Sequence, residues 1–128
     1  MLAEVSADSV IGGAERVLRE EALGLRRRGH TVAVVARAPA GDPRSRVDVE
    51  GIAEYRYAVA RGNEAAFVLS TVKGSLRTFD MASAGGADAV IIHQSLAGFG
   101  PILRRRMLAA AWVYVCHSLA QEEYLTRT

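Results

Sequence analysis

Residues Thr31 to Ala36 read Thr-Val-Ala-Val-Val-Ala, a continuous apolar run rich in β-branched side chains. A strand apolar at every position must be covered on both faces, the condition of a strand inside a parallel sheet. The run follows a stretch of helical periodicity. Ala14, Val17, Leu18, Ala22 and Leu25 fall on one face, and Arg16, Arg19, Glu20 and Arg27 on the other. Glu15 and Arg19 stand four apart in the favourable order, the basic triplet Arg26-Arg27-Arg28 suits the negative end of the helix dipole, and Gly29 supplies a left-handed stop. A short strand over Leu2–Ser6, leading through Ala7–Ile11 to a Gly12-Gly13 turn, completes a strand–helix–strand unit.

The pattern then repeats. Pro39, Gly41, Asp42 and Pro43 mark a loop, after which Val49–Val59 reads as a third, more exposed strand near the sheet edge. Asn63 is placed to cap a helix with a stripe of Ala65, Val68, Leu69, Val72, Leu76 and Phe79, in which Gly74 is a mild weakness and which ends by Gly85. Ala89–His93 is the fourth strand, Pro101 opens a helix to about Ala110, and Trp112–Cys116 is the fifth strand. Ser118 and Gln121 form a capping-box pattern that starts one more helix. Alternating strands and helices with short loops imply one α/β domain, Rossmann-like and three-layered, with a mostly parallel sheet and strand order 3-2-1-4-5.

Composition narrows the function classes. The 128 residues are 50% hydrophobic and 23% charged, ordinary values for a globular domain, and the net charge of +2 points to no nucleic-acid partner. The arginine triplets at 26–28 and 104–106 read as solvated helix ends. One cysteine, Cys116, excludes an intrachain disulfide scaffold. There is no signal-peptide pattern, and no run approaches the roughly 18 apolar residues of a membrane span. A soluble, cytoplasmic domain is expected, with membrane association left open but not indicated.

In an open parallel sheet, ligands bind beyond the carboxyl ends of the strands, at the point where the strand order reverses. That edge collects Asp8–Gly13, His93–Gly98 and His117–Ser118, whereas His30 falls at the opposite edge. Gly12 and Gly13 let backbone amides and the positive end of a helix approach a phosphate, but a tight turn needing unusual backbone angles explains the pair equally well. The Gly-x-Gly-x-x-Gly dinucleotide fingerprint and the Gly-Lys-Ser/Thr of a Walker loop are both absent. His117, ending a buried strand before a helix cap, favours contact with a hydroxyl or phosphate. For His93, packing and ligand contact carry equal weight. Cys116 reads as a small core residue, and the three histidines and the cysteine show no metal-ligand spacing.

Three segments together carry a family resemblance. Ile11-Gly-Gly-Ala-Glu-Arg-Val17 followed by Leu25-Arg-Arg-Arg-Gly-His-Thr-Val-Ala-Val-Val35 resembles the start of GT4-type retaining glycosyltransferases. Asp88-Ala-Val-Ile-Ile-His-Gln94 and Val113-Tyr-Val-Cys-His-Ser118 resemble later strands of the same family. The resemblance implies one half of a GT-B fold: residues 1–128 as the amino-terminal, acceptor-side domain, with the donor-binding carboxy-terminal domain absent from this chain. It further implies a nucleotide-diphosphate sugar as donor, an unknown acceptor, and no metal or cofactor. Gly12 and Gly13 would face the donor diphosphate. His117 would be the catalytic-site histidine near the transferred sugar, while Asp8, His93, Gln94, Ser95 and Ser118 are candidates for the acceptor side. Glu15 and Arg16 belong to the same motif as supports of the helix start, and the unmatched stretch from Arg61 to Gly86 leaves acceptor choice open. The alternative reading is a non-catalytic Rossmann-like domain that binds a phosphorylated metabolite or a protein partner.

Overall fold

A computed structural model describes residues 1–4, 6–8, 13–106 and 108–115. In chain order the elements are α1 (Gly13–Arg27), β1 (Ala33–Arg37), β2 (Arg46–Val49), β3 (Ile52–Tyr57), α2 (Glu64–Ala82), β4 (Ala89–Ile92), α3 (Ser95–Phe99), a 3₁₀ turn over Pro101–Arg104, and β5 (Ala111–Tyr114). The fold is mixed α/β, with a three-stranded sheet ordered β1-β3-β2 and a two-stranded sheet β4-β5. β1 and β3 pair in parallel, as do β4 and β5, while β2 runs antiparallel to β3.

Leu2 joins the two sheets. It bridges Val35 on one side and Ile92 on the other, both in parallel sense. Its N–H donates to the Ile91 carbonyl at 2.8 Å and its carbonyl accepts from the His93 N–H at 2.9 Å. Among the described residues the expected first strand is represented by bridges at Leu2, which hold the expected position between the second and fourth strands.

Alternation on β1 divides the core. Val34 and Ala36 pack with Leu18 and Ala22 of α1, whereas Val35 packs with Tyr57, Val90, Ile92 and Phe79 of α2. α1 ends as its sequence requires, since Gly29 has φ +90°. Asn63 caps α2 by accepting from the Ala66 N–H at 2.8 Å.

Three expectations are corrected. The region Val49–Val59 is not a single exposed edge strand. β2 forms the edge and β3 lies inside the sheet, and they meet at a Glu50-Gly51 turn with φ of 51° and 87°. Successive left-handed residues are the geometry a two-residue hairpin favours.

The second correction concerns α2. It buries Thr71, Ser75, Thr78 and Phe79, while Val68 and Leu69 of the expected stripe stay exposed. Burying hydroxyls is tolerable because each bonds within its helix: Thr71 to the Phe67 carbonyl at 2.8 Å, Ser75 to Val72 at 3.2 Å and Thr78 to Gly74 at 2.7 Å. Gly74 is accordingly a contact point, because a Cβ there would sit 3.0 Å from the Tyr57 Cβ.

The third correction is the expected Pro101–Ala110 helix. It is replaced by α3, which starts at Ser95, and by the 3₁₀ turn at Pro101. Gly98 allows the close approach of α3 to β4, where a Cβ would meet Ile92 Cγ2 at 2.9 Å.

Candidate functional site

Parallel pairing points the carboxyl ends of β1, β3, β4 and β5 to one edge. The chain leaves Leu2 toward the same edge and reaches Ser6–Asp8 before α1. This segment forms no sheet ladder, so its polar groups need other partners. They find them in side chains. Glu54, fully buried in β3, accepts from the Ser6 hydroxyl and from the Ala7 N–H, each at 2.7 Å. The Ala7 carbonyl accepts from Arg19 of α1 at 3.2 Å, and the Asp8 N–H donates to Ser6 Oγ at 3.2 Å.

Arg56, two residues along β3 and on the same face, completes the cluster. Its Nε donates to Glu54 at 2.8 Å, its Nη1 to Asp42 at 2.7 Å and its Nη2 to Ser6 Oγ at 3.1 Å. Asp8 Oδ2 lies 3.5 Å from Arg56 and 3.6 Å from Arg44. Removing a guanidinium from water costs several kcal/mol and is tolerable only when charge and hydrogen bonds both answer it. Burial opposes the Arg56 charge, but the bonds to Glu54 and Asp42 outweigh it and raise the pKa further. Asp42 lies well below the usual carboxylate range, chiefly because Arg44 donates side-chain hydrogen bonds to it.

Above this cluster lies an open groove of about 540 Å³ between Asp8 and the 39–44 loop. Its carboxylates can accept from hydroxyls, and Pro39 and Pro43 give it apolar walls. Among the described residues, no group of three or more His, Cys, Asp and Glu side chains is arranged to hold a metal.

The expected site residues divide as follows. Gly13 opens α1 and is exposed. A Cβ there would meet nothing within 4 Å and its φ is not left-handed, so neither crowding nor backbone strain demands glycine at that position. Asp8 is exposed beside the groove. His93 is buried, with its Nε2 3.6 Å from Glu21 Oε2 on α1. Gln94 is half-buried and its side-chain oxygen accepts from the Glu4 N–H. Ser95 is the exposed first residue of α3. Thus Gln94 is tied to the segment after Leu2, as sheet topology requires. Gly12, Cys116, His117, Ser118 and the expected final helix lie outside the described residues.

Sequence reasoning missed Glu54, Arg56, Asp42 and Arg44. A signal for two of them was present. In Ile52-Ala-Glu-Tyr-Arg-Tyr57, strand alternation places Glu54 and Arg56 on the face of Ile52, so two charges point inward.

Comparison with known proteins adds two findings. The chain matches the family model described as Glycosyltransferase Family 4 over residues 11–128. No curated protein matches it.

Proposed function

Because the chain belongs to Glycosyltransferase Family 4, we propose that it is the amino-terminal, acceptor-side half of a GT-B enzyme. That enzyme moves a sugar from a nucleotide-diphosphate donor to a hydroxylated acceptor. In this reading the two packed clusters on either side of β1 join a central sheet to α1 on one face and α2 on the other, the three layers of a Rossmann-like domain, and the donor-binding half lies outside these 128 residues.

The observation that carries the proposal is the family match over nearly the whole chain. Local geometry supports it. Gly13 is a bare, exposed helix start with no structural need for glycine, and an absent side chain there suits close approach of a diphosphate to backbone amides. In retaining transfer the leaving diphosphate gains negative charge as the sugar becomes oxocarbenium-like, so oriented amides contribute more in the transition state than in the ground state. We assign Gly12 and Gly13 to that wall of the cleft and His117 to the transferred sugar. Asp8, Gln94, Ser95 and Ser118 fall to the acceptor side. His93 belongs there too, and its burial against Glu21 suits it to fixing the β4–α3 turn. As the family resemblance implies, transfer needs no metal or cofactor in this proposal. No helix among the described residues is long and apolar enough to cross a membrane, and we place the reaction in the cytoplasm.

The test is a thermal-shift screen of the full-length protein against nucleotide sugars, followed by a transfer assay with any that stabilises it. A ligand at 100 times its Kd adds about 2.7 kcal/mol to folding stability. At least one nucleotide sugar should raise the melting temperature and support transfer. Failure of every donor to do either removes the transferase reading.

A further inference from the structure

The ion cluster beneath Ser6–Asp8 is expensive for a strand interior. Glu54 is fully buried and the Arg56 side chain is 1% exposed. A leucine and a methionine would fill this space without desolvating charge, and buried ion pairs replaced in that way often lose no stability. What an apolar pair cannot do is hold irregular backbone. Glu54 alone accepts from two groups of the segment after Leu2, and Arg56 ties that segment to Asp42 in the loop after β1.

We propose that Glu54 and Arg56 are positioning residues: they fix Ser6–Asp8 and the 39–44 loop relative to each other, and so set the geometry of the groove between Asp8 and that loop. The link to turnover rests on the transferase reading above, while the link to loop geometry does not. Ser6 and Ala7 are held by Glu54 and Arg19, and α1 is held separately by the packing of Leu18 in the core. Release of the Glu54 and Arg56 anchor leaves the packed core in place and frees Ser6–Asp8 and the groove wall. Sites that stabilise developing charge lose rate steeply with displacements on the order of 1 Å.

The experiment compares wild-type full-length protein with the double variant Glu54→Leu/Arg56→Met and with Arg56→Lys. Lysine keeps the charge but cannot serve Glu54, Asp42 and Ser6 at once. Amide hydrogen exchange at Ala7 and Asp8 should rise at least tenfold in the double variant and at least threefold in Arg56→Lys. Exchange in α2 and the melting temperature should stay close to wild type. With a donor that supports transfer, kcat should fall at least tenfold in the double variant while the donor KM changes less than threefold. Unchanged exchange at Ala7 and Asp8 in Arg56→Lys overturns the proposal, and so does exchange that rises equally throughout the chain, which marks a role in folding alone. Lost turnover with unchanged loop exchange overturns it as well. If the wild-type protein transfers no sugar, the transferase reading fails, and loop exchange still decides the positioning role.

Discussion

Asp42 shows how a single charge at the rim of the cluster sets pH behaviour. Arg44 and Arg56 both donate to it, so its folded-state pKa lies below that of the unfolded chain, near 3.9. The unfolded state therefore takes up the proton first as pH falls. The contribution of Asp42 to stability is complete above about pH 4 and is lost as pH drops through the folded-state value. Between pH 6 and pH 2.5 the wild-type urea midpoint should fall further than that of Asp42→Asn, and equal falls would contradict the assignment. Gly100 makes a steric counterpart. A Cβ there would run into the Val72 carbonyl oxygen and lie 2.9 Å from Leu76 Cβ, where α3 crosses α2. Because backbone must move to admit it, Gly100→Ala should cost roughly 1–3 kcal/mol in denaturant unfolding. A neutral effect would mean that α3 does not sit on α2 as described.

At the level of elements, sequence periodicity identified both long helices and placed their starts within one residue and the end of α1 within two, because caps and a left-handed glycine are local signals, whereas α2 ends at Ala82, three residues before the expected Gly85. Asn63 and Gly29 act as their sequences suggest. What periodicity missed depends on neighbours. The buried face of α2 sets Thr71, Ser75 and Thr78 beside Phe79, and a count of apolar residues finds only the last. Only the close approach of Tyr57 reveals why Gly74 beside them carries no side chain. The hairpin was missed for a related reason: Glu50-Gly51 is a weaker turn signal than Asn-Gly, although Val47, Val49 and Ile52 alternate around it. Glu50 holds φ 51°, a conformation that asparagine adopts more readily. Its ion pair with Arg19, 3.4 Å apart at the surface, offsets little of that strain. Glu50→Asn should raise stability by about 0.5–1 kcal/mol, measured as a shift in the denaturant midpoint at constant slope. A loss of stability would show that the ion pair outweighs the backbone term.

For the whole molecule, the alternation of strands and helices was enough to place Leu2 between the second and fourth strands, because parallel strands joined by short crossovers have few arrangements. The carboxyl edge of the strands followed from the same rule, and the placement of Asp8 beside the groove and of Gln94 against the segment after Leu2 was legible on that ground. The polar cluster that anchors this edge was not, since Ser6, Asp42, Glu54 and Arg56 are far apart in the chain and only folding brings them together. If the domain supplies one wall of a two-sided cleft, His117→Ala in the full-length protein should cut turnover by at least tenfold while leaving its melting temperature within a few degrees of wild type; wild-type rates would remove His117 from the site. The division of labour itself is tested most directly by assaying sugar transfer, with a donor that the full-length protein uses, for the full-length protein and for residues 1–128 alone. Turnover is expected from the former and none from the latter. Robust transfer by the 128-residue chain alone would contradict it.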